Sequence, residues 1–589
     1  MLRWMKEEDW EFLLMQNGKE SMHVYVRPPA GRTRSPTLSP LNSPRNRLGR
    51  TRSGRQTGGG PTRPYVIRLI YLLFSFLLRR HAVLLFAPVI YISGMLLYMG
   101  KISLDNPSTA AVLRGSVYRS PEVFRNLWPA MEADNDSSFG VEKAWEYADE
   151  ARWRPCLSRE PDAEGLPESN GYILIEANGG LNQQRSSICN AVAIAYLLNA
   201  TLVIPHFHLN SVWQDHSKFG DIYDEKYFIE TVAEDVRVVK KLPDEVLESF
   251  GNMSNIYKFK VPAWAPASFY LEKVKPKLLE AGVVRFSPFA NRLGFDKIPP
   301  KVQQLRCKTN YEALRFAKPI SSAADVLVNR MKEKSGSHGG KYIAIHLRFE
   351  EDMIAFSCCI YDGGEEEKRE MDAARERSWR GKFTKVGRVV DPAANRVDGQ
   401  CPLTPLEVAM VLRGMGFRNT TPIYIAAGKI YKSEKMMVPL RQMFPYIETK
   451  ETLLSAEELA PFKKHSSRMA ALDYTVCLHS EVFVSTKGGN FPQILVGHRR
   501  FLNNGHSKTI RPDTRKLAVL LDDPNISWTD FSEQLRAMRI HGDKKGHELR
   551  KPDASIYKFP APDCMCEDPV SNDNLFREST NIGRVRLRL

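Results

Sequence analysis

The chain has 589 residues, of which 43% are apolar and 26% are charged. This length allows two or three domains, and this composition excludes a wholly disordered, collagen-like or small disulfide-scaffold protein. The net charge is +16, but residues 27–81 hold 12 arginines, no lysine and no acidic residue. The rest of the chain is therefore nearly neutral, and a globular body that binds polyanions by general basicity is not expected.

An uncharged apolar segment, residues 82–99, follows the basic stretch. A helix of this length measures about 27 Å, close to the roughly 30 Å of a bilayer's hydrocarbon core. Because the arginines lie on one side only, the positive-inside rule predicts residues 1–81 as a cytosolic tail and 82–99 as a transmembrane signal anchor. The remainder is expected in the lumen, a single-pass type II topology.

The glycosylation triplets agree with this topology. Five Asn-X-Ser/Thr acceptors follow the apolar segment and none precedes it. They are Asn135, Asn199, Asn252, Asn419 and Asn525.

Apolar periodicity predicts an α/β fold. Within residues 171–205 a glycine-bounded apolar run, a glycine turn, an apolar helix and a second apolar run form a β-α-β pattern, and the pattern recurs within 341–501. Such patterns indicate parallel sheets covered by helices, here two facing doubly wound, Rossmann-like domains. The predicted divisions after the anchor are a stem (100–168), an N-terminal domain (169–338), a C-terminal domain (339–542) and a polar tail (543–589).

Ligands of such sheets bind beyond the carboxyl ends of the strands, and the first of these ends carries a glycine turn. Gly179 and Gly180 allow a phosphate or sugar to approach the backbone. Asn182 can hydrogen-bond such a ligand, and Arg185 can pair with an anion. The alternative is a tight turn whose polar residues only cap the next helix.

The second strand end carries His346, Leu347 and Arg348. The Arg348 guanidinium is a planar fork suited to a diphosphate. Three carboxylates follow at 350–352, but on an extended chain neighbouring side chains point in alternate directions, so no metal site is predicted. The alternative is a solvated rim with one arginine ion pair.

The third strand end is a glycine loop at residues 485–491. Its amides can cradle a phosphate, and Lys487 can add a point charge. The loop matches neither GxxxxGK[ST] nor GxGxxG, so nucleotide binding by those known loops is excluded.

The nine cysteines leave at least one thiol unpaired. The pairs at 358–359 and 564–566 have no partners at zinc-ligand spacing. Disulfides with Cys156, Cys307 or Cys401 are expected in an oxidising lumen.

Four sequence blocks, residues 179–205, 346–359, 424–431 and 471–501, together resemble the plant branch of the protein O-fucosyltransferase superfamily. The resemblance implies a Golgi type II protein with a two-domain GT-B fold. It also implies a GDP-sugar donor bound mainly by the C-terminal domain, an acceptor on the N-terminal side, and no metal or other cofactor.

The resemblance also implies roles for individual residues. His346 and Arg348 belong to the sugar-nucleotide signature, with Leu347 between them, and Arg348 is expected to be the catalytic residue. Asn182 takes the place of the asparagine of the family's glycine turn. The residues at positions where relatives contact the guanosine or its ribose are Asp473, Glu481, Asn490 and Phe491.

One departure concerns the general base, because Gly179 stands where some animal relatives place a glutamate. Either Glu350 or Asp352 deprotonates the acceptor, or the reaction is so dissociative that a strong base matters less. The sequence leaves both accounts open.

The predicted function is inverting, metal-independent transfer of fucose from GDP-fucose to a hydroxyl of a glycan or glycoprotein, in cell-wall or glycan metabolism. The alternatives are a donor carrying rhamnose or mannose, a non-catalytic Golgi scaffold, and a membrane tether acting through the arginine-rich tail. Nucleic acid is not an expected partner.

Overall fold

A computed structural model describes residues 118–134, 153–157, 165–208, 215–287, 289–361, 363–384, 390–543 and 548–567. The predicted cytosolic tail and the predicted anchor at 82–99 lie outside these ranges. Among the helices within them, none is both long and apolar enough to cross a membrane.

The first half of the chain forms a sheet around its central strand β2, in the order β5-β3-β2-β7-β6, with β4 pairing β2. Every pair in this sheet is parallel, as the sequence predicts. The strands are β2 (Tyr172–Ala177), β3 (Thr201–Val203), β4 (His206–Phe207), β5 (Val238–Val239), β6 (Lys258–Phe259) and β7 (Val283–Phe286), and β1 (Trp153–Pro155) lies outside the sheet. The helices of the first half are α1 (Ser120–Ala133), α2 (Leu181–Leu198), α3 (Phe219–Ile222), α4 (Glu225–Val232), α5 (Asp244–Phe250), α6 (Ala267–Phe269), α7 (Lys275–Ala281), α8 (Pro300–Lys308) and α9 (Lys318–Lys334).

The second half forms another parallel sheet, in the order β10-β9-β8-β11-β12. Its strands are β8 (Ile343–His346), β9 (Ile423–Ala426), β10 (Ile447–Glu448), β11 (Val482–Ser485) and β12 (Thr509–Ile510), and β13 (Met565–Glu567) pairs with β1 instead. The helices are α10 (Glu351–Ser357), α11 (Gly364–Ser378), α12 (Pro392–Val397), α13 (Pro405–Gly414), α14 (Ser433–Met436), α15 (Val438–Met443), α16 (Lys450–Leu453), α17 (Ala456–Leu459), α18 (Ser466–His479), α19 (Asn490–Leu502), α20 (Thr514–Leu521) and α21 (Trp528–Asp543). The predicted α/β class with parallel sheets is confirmed.

Local sequence signals explain where these elements begin and which way they face. Helix α13 begins at Pro405, and Thr404 and Glu407 form the capping box that its sequence predicts. In β8, Ile343 and Ile345 face one core while Ala344 faces another, as the two-residue period of a strand requires.

The hydrophobic core does not divide at residues 335–340, where the sequence changes from one β-α-β pattern to the next. A single buried cluster contains Ile173 and Phe286 of the first sheet together with Tyr424 and Phe483 of the second. All described residues fall in one compact unit. The two sheets therefore share one hydrophobic core.

Part of the predicted stem belongs to the globular fold. Val123, Leu127 and Met131, spaced four residues apart on α1, are buried in the core of the second half. The Ser120 hydroxyl donates a hydrogen bond of 2.6 Å to Glu407. The mixed composition of this region predicts a stem, and that prediction is wrong for α1. The partners of its apolar face lie almost 300 residues further along the chain, so the local sequence does not show them.

Part of the predicted polar tail also belongs to the fold. Strand β13 pairs antiparallel with β1. Disulfides Cys156–Cys566 and Cys307–Cys564 attach this segment to the first half. The third disulfide, Cys359–Cys401, lies within the second half. The expected disulfide partners are confirmed, and Cys189, Cys358 and Cys477 remain as buried thiols.

Candidate functional site

A cleft of about 770 Å³ opens at the carboxyl ends of the parallel strands, where the fold class predicts a ligand. It is lined by residues that follow β2 in the first sheet and β8, β9, β10 and β11 in the second. The predicted residues that line it are Gly179, Gly180, Asn182, His346, Arg348, Glu350, Asp352, Asp473, Asn490 and Phe491. Tertiary structure thus gathers residues that are more than 300 positions apart into one site.

The sequence predicts a glycine turn over residues 178–185, but the turn is shorter because α2 already begins at Leu181. Gly179 has φ +84°, and a Cβ there would lie 2.9 Å from Cβ of Gln183, so the tight turn favours glycine. Asn182 consequently lies in the first turn of a long helix. Its carboxamide is 3% exposed, and neither its oxygen nor its nitrogen has a hydrogen-bond partner among the described residues.

Buried polar groups are normally hydrogen-bonded, so the Asn182 carboxamide is suited to a polar ligand in the cleft. Arg185, predicted as an anion partner, has a different position. Its guanidinium is buried and donates to Asn310 Oδ1 at 2.8 Å and to the Leu314 carbonyl at 3.2 Å. Arg185 does not line the cleft, and its visible role is to hold α2 in the fold.

His346 ends β8, and its ring stacks on Phe491, with ring centroids 4.5 Å apart and planes 15° apart. Burial, with a smaller contribution from Arg348, lowers the pKa of His346 to about 3. His346 is therefore neutral at physiological pH. Leu347, predicted as a donor contact, points the other way into the core and is fully buried, because neighbouring residues of an extended chain face opposite sides.

Arg348 is held by two carboxylates. Its guanidinium lies 2.7 Å from Glu350 Oε2 and 2.8 Å from Asp352 Oδ2. Burial by itself lowers the pKa of Arg348, but the two carboxylates outweigh this effect and raise it. Arg348 is thus a fixed cation inside a trio whose formal charge is −1.

The three carboxylates at 350–352 do not alternate along an extended chain as predicted, because α10 begins at Glu351. The helical turn brings Glu350 and Asp352 to Arg348, while Glu351 pairs with Arg377 at 2.6 Å. Glu350 also accepts a hydrogen bond of 3.0 Å from the Gly428 amide. Within the part of the chain that the structure describes, no group of three or more His, Cys, Asp or Glu residues is placed to hold a metal ion.

The third loop joins β11 to α19 as the sequence predicts. Gly489 has φ +140°, and a Cβ there would meet no atom within 4 Å, so this side of the loop is open. Lys487 donates to the Gln400 carbonyl, and both residues line the cleft. Burial and the nearby Arg511 lower the pKa of Lys487 to about 8.

A buried ion pair that lines the cleft includes Lys450, a residue that the sequence did not single out. Lys450 Nζ lies 2.9 Å from Asp473 Oδ2, and the Tyr424 hydroxyl donates to Asp473 Oδ1 at 2.7 Å. The only sequence signal for Lys450 is its position two residues after Glu448, the last residue of β10.

Glu481 does not join the other predicted residues. It precedes β11, at the amino end of the strand, and pairs with Lys508 at 3.2 Å. The cleft lies at the opposite, carboxyl end, so Glu481 is not among its lining residues.

Comparison with known proteins assigns the chain to a family. A profile described as GDP-fucose protein O-fucosyltransferase matches residues 172–502, the span that builds the cleft. Two relatives from Arabidopsis thaliana are O-fucosyltransferase 9, 58% identical over 92% of this chain and 96% of the relative, and protein ESMERALDA 1, 56% identical over 90% and 95%.

A solved structure, that of POFUT1 in complex with GDP-fucose, covers 57% of this chain and 96% of its own, with 14% identity and a TM-score of 0.34. The profile match and the two relatives, each covering most of this chain, lead to the same conclusion. The chain belongs to the GDP-fucose protein O-fucosyltransferase family.

Proposed function

We propose that this protein is a glycosyltransferase that moves fucose from GDP-fucose to a hydroxyl of a glycan or glycoprotein. The observation that carries the proposal is the buried carboxamide of Asn182, which has no partner among the described residues and faces the same cleft as His346 and Arg348. Family membership supplies the donor class.

The cleft offers different chemistry along its length, which supports a nucleotide-sugar ligand. The open loop at Gly489, the beginning of α19 and the Lys487 ammonium favour a diphosphate. The stacked rings of His346 and Phe491 and the Asp473 carboxylate provide an apolar face and a hydrogen-bond acceptor for a nucleoside. Gly180 caps α2 and Asn490 begins α19, so the amino ends of both helices lie at the cleft.

The contacts of Glu350 and Asp352 bear on whether either carboxylate acts as the general base. Both candidates, Glu350 and Asp352, are held by the Arg348 guanidinium. The two Glu350 oxygens contact Arg348 and the Gly428 amide, and both Asp352 oxygens accept hydrogen bonds from Arg348, so all four oxygens are already engaged. We therefore favour a dissociative, inverting route in which Arg348 stabilises the departing diphosphate and a strong base is not required.

A donor screen tests this function. The purified protein is incubated with GDP-fucose, GDP-mannose, GDP-rhamnose and UDP-sugars, and both binding and hydrolysis are measured. We expect GDP-fucose to bind and to be hydrolysed slowly without acceptor, and Asn182→Ala to abolish both. Turnover with a different sugar would assign another donor, whereas binding without turnover on any acceptor would support the scaffold alternative.

The absence of a metal requirement is part of the proposal. We expect turnover in excess EDTA to equal turnover with Mn²⁺ added. A loss in EDTA that Mn²⁺ restores would instead make Glu350 and Asp352 metal ligands and contradict the proposed mechanism.

We further propose a single-pass type II position in the Golgi membrane with the catalytic domain in the lumen. Asn252, Asn419 and Asn525 are exposed, as glycosylation requires, whereas the Asn199 amide donates a 2.5 Å hydrogen bond to the Glu168 carbonyl, and Asn135 lies outside the described residues. Protease added to sealed vesicles should remove only about the first 80 residues, and glycosidase should lower the mass of the protected part. Full digestion by external protease would contradict a lumenal domain.

A further inference from the structure

The ion pair of Lys450 and Asp473 is more enclosed than an ordinary ion pair at the edge of a cleft. The Lys450 side chain is 4% exposed and the Asp473 side chain 8%. Lys450 Nζ also donates to the Ala427 carbonyl at 2.7 Å and lies 3.6 Å from Glu451 Oε1. Its ammonium is therefore held by groups from the loop after β9, from α16 and from α18.

The Asp473 carboxylate retains acceptor capacity. It receives one hydrogen bond on each oxygen, from Tyr424 and from Lys450. An ionised carboxylate has about four lone-pair positions, so two further donors can bind on its cleft side. Asp473 lines the cleft with Ala427, Met469 and Ala470, which offer apolar surface to a flat ring.

Asp473 already stands at a position where relatives contact the guanosine, so the new inference concerns Lys450. We propose that Lys450 is a positioning residue for nucleobase recognition: it orients the Asp473 carboxylate so that both of its oxygens can accept hydrogen bonds from the 2-amino group and N1–H of guanine. The inference rests on the proposed function, since it takes the ligand to be a GDP-sugar. Guanine presents two adjacent donors on this edge, whereas uracil presents one and the corresponding edge of adenine lacks the 2-amino group.

The electrostatics of the pair explain why the lysine is needed. Burial raises the pKa of Asp473 and would neutralise it, while the Lys450 ammonium opposes that shift. Burial lowers the pKa of Lys450, but Asp473 and Glu451 outweigh it and raise it, so the ammonium keeps its charge beside Asp473. The other titratable groups that face the pair are Tyr424 and Cys477, whose pKa values are both raised by burial, so both are neutral at physiological pH.

The test compares GDP with inosine diphosphate, which lacks only the 2-amino group. Dissociation constants are measured by calorimetry between pH 5.5 and 7.5, where the Lys487 ammonium stays charged. Wild-type protein should prefer GDP by roughly tenfold or more, with little pH dependence, because a hydrogen bond to a charged group contributes about 1.5–3 kcal/mol.

In Lys450→Met, Asp473 loses its cation and takes up a proton. We expect GDP to bind roughly tenfold more weakly at pH 6, to regain affinity as the pH rises, and to lose its advantage over inosine diphosphate. Asp473→Asn should lose the same discrimination at every pH, and the double variant should lose no more than Asp473→Asn alone. Lys463→Met, at an exposed lysine outside the cleft, is the matched control.

Lys450→Arg guards against a variant that fails to fold, since it keeps the charge and should keep the discrimination. Wild-type preference retained in a folded Lys450→Met, or a wild type that binds GDP and inosine diphosphate equally, would overturn the inference alone. A wild type that binds no GDP would overturn the proposed donor, and the inference with it.

Discussion

The His346 ring lies almost flat on the Phe491 ring, with a centroid separation of 4.5 Å, although the two residues are 145 positions apart. Tyr474 meets the other side of this arrangement edge-on, 5.8 Å from Phe491 at an angle of 83°. Three elements, β8, α18 and α19, therefore contribute one aromatic wall. Because the imidazole is enclosed in this wall, its proton equilibrium is coupled to folding.

We predict that acid destabilises the protein partly through His346. Its pKa is about 3 in the folded state and 6.5 as the ordinary value, so the unfolded chain binds the extra proton first. The free energy of unfolding should fall as the pH drops below about 6.5, by up to about 1.4 kcal/mol per pH unit for one such group. His346→Phe, which keeps a stacking ring but does not titrate, should flatten this slope in denaturant titrations. An unchanged slope would show that His346 is not the responsible group.

Arg348 should be the residue on which turnover depends most. Arg348→Lys keeps a positive charge but loses the fork that contacts Glu350 and Asp352, and loss of such an electrostatic group costs on the order of 10²–10³ in rate. Arg348→Ala should lose at least as much, and GDP binding should weaken far less than turnover in both variants. Circular dichroism controls for folding, since removing the guanidinium leaves two carboxylates close together. Turnover above about a tenth of wild type in either variant would contradict a catalytic role.

Lys487 should give the reaction an alkaline limit. Its pKa is lowered to about 8, so its ammonium loses its proton as the pH rises through that value. If the ammonium binds the diphosphate, KM for the donor should rise above pH 8 in the wild type. Lys487→Arg, which stays charged, should remove this rise, and Lys487→Met should bind donor weakly at every pH. An alkaline limit that persists in Lys487→Arg would assign it to another group.

The Cys307–Cys564 disulfide should carry much of the stability of the C-terminal segment. It closes a loop across 257 residues, shorter than the 410 of Cys156–Cys566 but far longer than the 42 of Cys359–Cys401, and longer loops lose more chain entropy when they are closed. Cys307→Ser with Cys564→Ser should lower the free energy of unfolding by about 2–5 kcal/mol. Cys358→Ala, which removes a buried thiol outside any disulfide, is the control. Equal stability of the two variants in denaturant would contradict the prediction.

The elements themselves could be predicted because their signals are local. The apolar run of β8, the Thr404 cap of α13 and the glycines before α2 and α19 each depend on a few neighbouring residues. Those signals indicate parallel strands, and parallel strands place Asn182 at the carboxyl edge of the first sheet and Arg348 at the carboxyl edge of the second.

Contacts between residues that are distant in the chain could be identified only from the tertiary structure. Nothing near Lys450 in sequence indicates that its ammonium is buried against Asp473, and nothing near Glu481 indicates that it pairs with Lys508. In the sequence, the apolar residues of α1 have no visible partner. In the folded chain they are buried against the core of the second half. Capping, turns and strand alternation depend on adjacent residues, so the sequence by itself determined the elements and the sheet edges at which the site lies. Burial and charge pairing depend on which surfaces meet in the folded chain, so only the tertiary structure decided the ionic contacts within the site.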